Sequence, residues 1–144
     1  MLVSSATRLN RLHVRTDAGW AALQSALDRR AVVARAVAAS SLDGYAADRL
    51  RRVADRAERA TPAEREIHEN ELTRLLAAID RDRLPAVLAA ELGDAEQRVV
   101  IARRVYNDAV RDTVAVRRNR VVRYFRLAGS APVPEYFEIA EPDP

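Results

Sequence analysis

The chain has 144 residues, a formal net charge of +3, 49% hydrophobic and 31% charged residues, which fits one domain of ordinary size that can bury a core without a disulfide or structural metal. Cysteine is absent, which excludes a disulfide scaffold, a zinc–thiolate site and a cysteine nucleophile. Every basic residue is Arg and Ala is the commonest residue, a composition that leans helical.

The start, Met1-Leu2-Val3, runs into a helical pattern with no capping residue before it. It reads as the stub of a longer helix cut upstream. Leu9, Leu12, Thr16, Trp20, Leu23, Leu27, Ala34 and Val37 then recur at three- and four-residue spacing, one stripe on a helix of about thirty residues, roughly 45–50 Å long. Gly19 costs this helix roughly 1 kcal/mol against Ala and is expected to let a neighbouring helix approach Trp20. Ser40, Ser41, Asp43 and Gly44 mark the first break.

A second segment places Ala46, Leu50, Val53, Ala57 and Ala60 on one face and alternates Asp48, Asp55 and Glu58 with Arg on the other. Thr61-Pro62-Ala63-Glu64 has the N-cap, N1 and N3 residues of a capping box. The helix it starts is expected to bury Ile67, Leu72, Leu75, Leu76 and Ile79. Leu84-Pro85 opens the last helix, whose stripe runs Leu88, Leu92, Ala95, Val99, Ala102, Tyr106, Ala109, Thr113, Val116. Gly93 is a possible kink site, and Gly129 is a natural stop. Two prolines, Pro132 and Pro134, follow, and Glu135-Tyr136-Phe137-Glu138-Ile139 is expected to dock on the bundle, because its aromatic pair is costly to leave in water.

Stripes of this width belong to helices that share a core. The expected fold is all-α: an antiparallel up-down four-helix bundle with long first and last helices over residues 1–129, and an extended tail over 130–144. The charge is uneven along it. Residues 8–35 hold six Arg and two Asp, net +4; 98–126 hold nine Arg and two Asp, net +7; 48–83 balance nine Arg with nine acids; 130–144 carry −4. In an up-down bundle the start of the first helix and the end of the last lie together. The sequence therefore predicts one basic patch of Arg8, Arg11, Arg15, Arg117, Arg118, Arg120, Arg123 and Arg126.

No catalytic or metal constellation emerges. His68 follows Glu64 by four residues and stands alone, whereas carboxylate-bridged di-metal bundles need a Glu-x-x-His pair on each of two helices. Glu64, Glu66, Glu69 and Glu71 read as a solvated face beside Arg65 and Arg74. A catalytic carboxylate needs burial or a like-charged neighbour. There is no Gly-rich phosphate loop, nucleophile elbow or zinc-protease helix motif. The reading is non-enzymatic, with no metal and no cofactor.

Two stretches carry a family resemblance. One is Leu9-Asn10-Arg11-Leu12-His13-Val14-Arg15-Thr16-Asp17-Ala18-Gly19-Trp20, continuing to Leu27-Asp28-Arg29-Arg30; the other is Glu96, then Ala102-Arg103-Arg104-Val105-Tyr106-Asn107-Asp108-Ala109-Val110, then Pro134-Glu135-Tyr136-Phe137-Glu138. The chain resembles the LemA family over nearly its whole length. It departs where the family repeats a Tyr-Asn-like pair, having Asp112-Thr113-Val114 there, and where the family stops the last helix at Phe-Pro, having Tyr124-Phe125-Arg126. The resemblance marks Asp17, Trp20, Arg103, Tyr106, Asn107 and Phe137 as signature positions. Trp20 and Tyr106 are expected to pack in the core, Asn107 to bond across to another helix, and Asp17 to pair with an Arg. It also implies a membrane-tethered helical bundle, with a single transmembrane helix just before residue 1 and the domain on the cytoplasmic side by the positive-inside tendency.

Two functions from different classes follow. One is an interaction or scaffold module whose Arg-rich patch lies against an anionic membrane surface, with an unknown protein partner and a possible homo-oligomer. The alternative is a nucleic-acid-binding domain using the Arg-rich last helix, with Arg on phosphates.

Overall fold

The computed structural model describes residues 2–41 and 43–123, and the side chains of 6–40 and 43–118. Four helices follow one another: α1 (Leu2–Ser41), α2 (Gly44–Arg59), α3 (Pro62–Ala77) and α4 (Ala86–Arg123), with a 3-10 turn at Arg81–Arg83. No strand occurs among the described residues. This is the all-α helical bundle that the stripes imply. The expected tail and the stop at Gly129 lie outside the described residues.

The chain divides into two compact units. The first holds residues 2–23 of α1 and 102–123 of α4; the second holds 24–41 of α1, α2, α3 and 86–101 of α4.

The second unit carries the main core. Ala31, Ala34 and Val37 of α1, Leu50, Val53 and Ala57 of α2, Leu72 and Leu76 of α3, and Leu92 and Ala95 of α4 form one buried cluster. Each fully buried Leu there contributes roughly 1.5–3 kcal/mol. Helix direction is read from the cross-contacts. Asp28 and Arg30 meet Arg65, Glu69 and Thr73 in rising order, so α3 runs parallel to α1. Arg35 meets both Asp55 and Glu58 of α2, and the short Asp43 link makes α2 antiparallel to α1.

Local chemistry sets the boundaries. Asp43 caps α2, its Oδ1 accepting from the Ala46 N–H at 2.9 Å. Thr61 stands at the N-cap of α3 with Pro62 after it, but its side chain makes no capping bond. The capping box expected there is not formed: the Glu64 and Arg65 N–H groups donate instead to the Thr61 backbone carbonyl. Asp80 plays the corresponding part for the 3-10 turn, accepting from the Asp82 N–H at 3.1 Å. Gly93 lies inside α4, which runs unbroken past it.

Two buried faces differ from expectation. On α2 it is Ala47, Leu50, Val53, Ala54 and Ala57 that are buried, with Ala46 and Ala60 at the edge. On α3 the phase shifts further. Ile67 is 69% exposed, while Arg65, Glu69, Leu72, Thr73 and Leu76 face inward.

The first unit is an antiparallel pair. Thr16 and Thr113 touch at 3.2 Å, Arg15 reaches Asp112 at 2.8 Å, and the Trp20 ring lies 5.3 Å from that of Tyr106, tilted by 55°. Gly19 sits where a Cβ would stand 3.4 Å from the Tyr106 Cα. The missing side chain thus admits the backbone of α4, with Tyr106 as the residue approached.

Candidate functional site

Positions along an antiparallel pair run in opposite senses from any cross-contact. From Thr16–Thr113, Arg11 and Arg8 lie toward the start of α1, and Arg117, Arg118, Arg120 and Arg123 lie toward the end of α4. Both sets lie beyond the same contact on the same side, so the first unit gathers basic residues at one end. Arg8, Arg11 and Arg118 are exposed. Arg15 is exposed and spent on Asp112. Arg117 is half-buried, and its Nη1 is buried with no hydrogen-bond partner. Arg120 and Arg123 belong to α4, without described side chains, and Arg126 and Phe137 lie outside the described residues.

The signature positions divide. Tyr106 and Asn107 are buried, each 7% exposed, and both have partners. Trp20 is half-buried against Tyr106, a tilted aromatic pair of the kind worth about 0.5–1.5 kcal/mol beyond its area. Arg103 is half-buried and partnered. Asp17 is exposed and makes no ion pair among the described residues. The expected Asp17–Arg pairing is not formed among the described residues; a carboxylate of this unit that does meet an Arg across the helices is Asp112.

The second unit holds polar groups that read as surface in the sequence. Arg30, on the buried stripe of α1, donates through Nη1 to Thr73 Oγ1 (2.8 Å) and through Nη2 to Glu69 Oε2 (2.7 Å). Arg65 Nε donates to Glu69 Oε1 (3.3 Å) and its Nη2 to Asp28 Oδ1 (2.6 Å). Glu69 is fully buried, correcting its expected place on a solvated face. Each of its oxygens accepts from a guanidinium donor and the side chain is fully buried, which gives it the part of an internal tie between α1 and α3. A second tie joins Arg81 to Glu96: Nη1 and Nη2 of Arg81 both donate to the carboxylate, Nη2 at 3.1 Å, and Nη2 also donates to the Leu76 carbonyl at 3.2 Å.

On the rim, Glu58 raises the pKa of Arg35 above its ordinary value, chiefly through a hydrogen bond, and Asp55 adds to the effect against some desolvation. A raised folded pKa gives stability that is complete below the ordinary Arg value and lost only above it, so this contribution is constant across neutral pH.

A cleft of about 410 Å³ opens between the start of α2, the end of α3 and the 3-10 turn, floored by Leu50, Leu75, Ile79 and Leu84. Its carboxylates, Asp43 and Asp80, both cap backbone N–H groups. No group of three or more His, Asp or Glu able to hold a metal occurs among the described residues. His13 and His68 are each half-buried, with Nε2 of His13 and Nδ1 of His68 unpartnered. No described helix is long and apolar enough to cross a membrane.

No family model, curated protein or solved structure matches this chain.

The arrangement offers charge and shape. The buried acids and bases of the second unit bond to each other, and exposed guanidinium groups stand at the basic end of the first. The buried tie was legible at one point: Arg30 falls on the stripe Leu27, Arg30, Ala34, Val37, where an ionised side chain requires a carboxylate opposite.

Proposed function

We propose that this protein is a non-enzymatic helical interaction module of the LemA type, tethered to a membrane through a segment preceding residue 1. Its basic end lies against anionic lipid headgroups. One observation carries the reading: Arg8, Arg11 and Arg118 are exposed and make no ion pair among the described residues, on the two helices whose described ends lie together. Near an anionic surface each such cation contributes roughly 1 kcal/mol, and guanidinium binds phosphate bidentately at low desolvation cost.

Co-sedimentation with vesicles tests it directly. The chain is expected to pellet with phosphatidylglycerol-containing vesicles and to stay in the supernatant with phosphatidylcholine alone. The triple variant Arg8→Gln, Arg11→Gln, Arg118→Gln is expected to lose most of that binding. Equal binding to both vesicles at moderate salt would sink the lipid part.

The nucleic-acid alternative uses the same guanidinium groups on phosphates. It predicts duplex binding whose affinity falls steeply with salt, so a duplex arm in the same assay separates the two.

A further inference from the structure

The balanced charge of residues 48–83 conceals a segregated one. At about 100° per residue, Tyr45, Arg49, Arg52, Arg56 and Arg59 of α2 fall within an arc of roughly 80°, a row about 15 Å long between its first and last Arg at 1.5 Å per residue. All five are exposed, Tyr45 by 74%. None of the four Arg makes an ion pair or hydrogen bond among the described residues. The acids of the same helix are occupied elsewhere. Asp55 and Glu58 are bound by Arg35 of α1, and Asp48 by Arg51. The row stands opposite the buried face, so the core holds α2 rigidly behind it.

Carboxylates border the row. Asp48 and Asp55 lie on one flank of α2. A broad anionic surface brought to the row also meets these carboxylates, and so does a DNA groove, which wraps far more than an 80° arc. A single narrow rod of negative charge meets the guanidinium groups alone.

We propose that this outer face of α2 is a docking strip for an acidic α-helix of a partner protein, one with carboxylates spaced three and four residues apart along a single face. Such a helix presents one carboxylate per turn to one Arg per turn. The fork of each guanidinium donates side-on to a carboxylate, and the Tyr45 ring covers an aliphatic stem at the end of the row. The strip names the chemistry of the protein partner in the interaction-module reading and rests on that reading. It does not depend on the membrane contact, which uses different residues.

The test uses the full chain and fluorescence anisotropy at low salt. The probe is a labelled Ala-rich helical peptide with four Glu spaced three, four and three residues apart; a permuted peptide of the same composition serves as control. The ordered peptide is expected to bind one to one, about tenfold more tightly than the permuted one, and about tenfold more tightly than to the Arg52→Glu/Arg56→Glu variant, since several weak exposed pairs act together. That variant is expected to gain affinity for the Lys version of the ordered peptide. Arg52→Gln/Arg56→Gln repeats the loss if the charge reversal perturbs folding by circular dichroism.

Four results overturn the strip: equal affinity for ordered and permuted peptides; no effect of the α2 variants; an α2 variant that weakens binding to phosphatidylglycerol vesicles or a DNA duplex more than to the peptide; or peptide binding that appears only after residues 130–144 are removed, which makes the chain's own acidic tail the occupant. Failure of the membrane reading is distinct, since it shows in the vesicle assay of the Arg8/Arg11/Arg118 variant, which is expected to leave peptide binding unchanged.

Discussion

Arg30 of α1 and Glu69 of α3 meet inside the second unit, Nη2 to Oε2 at 2.7 Å, with side-chain exposures of 2% and 0%. A pair so placed has paid most of its desolvation, and Arg65 and Thr73 satisfy the remaining atoms except Arg30 Nε. Removing one partner strands the other's charge, which costs about 3–5 kcal/mol. Glu69→Ala is therefore expected to be among the most damaging single changes in the chain, measured by urea unfolding. Arg30→Met/Glu69→Leu together should recover most of that loss, leaving Arg65 on Asp28. A cost below about 1 kcal/mol for Glu69→Ala would mean that this cluster is not formed.

The same cluster explains which parts of the fold were legible in the sequence. The stripes of α1 and α4 were readable because their apolar residues keep one phase for many turns, from Leu23 to Val37 and from Leu92 to Thr113. On α3 the helix signal was readable and its phase was not. Ile67 and Ile79 pull an apolar stripe one way, whereas Arg65, Glu69 and Thr73 occupy the buried positions beside Leu72 and Leu76. Hydrophobic periodicity cannot see a buried residue whose burial is compensated by ion pairing. Chain direction alone places the start of α1 beside the described end of α4, but not which Arg are spent, since Arg15 is bound by Asp112. The Arg row on α2 was hidden by a net charge of zero, since which acids are occupied depends on Arg35, twenty residues away from Asp55.

Arg81 and Glu96 give a second, smaller test. The carboxylate is buried and the guanidinium half-buried, and Arg81 also holds the last turn of α3 through the Leu76 carbonyl. Charge-assisted bonds of this kind contribute about 1.5–3 kcal/mol. Glu96→Gln is expected to cost roughly 2 kcal/mol and to speed hydrogen exchange at the end of α3. The exposed Arg15–Asp112 pair should cost under about 1 kcal/mol when broken by Asp112→Asn. Reversal of that ranking in thermal unfolding would show that burial does not govern these pairs.

Gly19 is a question of space against propensity. Ala there gains up to about 1 kcal/mol of helix propensity, and its Cβ would sit 3.4 Å from the Tyr106 Cα, at the edge of ordinary contact. Gly19→Ala is expected to be neutral or slightly stabilising. Gly19→Leu forces α1 and α4 apart at the Trp20–Tyr106 contact and should cost about 1–3 kcal/mol, with a shift of Trp20 fluorescence. A Leu variant as stable as the wild type, with unchanged emission, would remove the reason for a glycine.

Thr16 and Thr113 present three contacts to two hydroxyl protons. Thr16 Oγ1 lies 2.9 Å from the Leu12 carbonyl, Thr113 Oγ1 lies 2.9 Å from the Ala109 carbonyl, and the two oxygens are 3.2 Å apart. If both protons go to their own helix carbonyls, as the shorter distances favour, the oxygens face each other as acceptors. One of the three contacts is then always without a proton. Replacing both by Val removes that conflict, keeps the volume, and leaves the helix carbonyls with their backbone N–H donors. Thr16→Val/Thr113→Val is accordingly expected to be at least as stable as the wild type in urea, and more stable than the sum of the single variants predicts, by a coupling of about 0.5–1 kcal/mol. A double variant weaker than either single one would show that the hydroxyl pair is a bond the fold depends on.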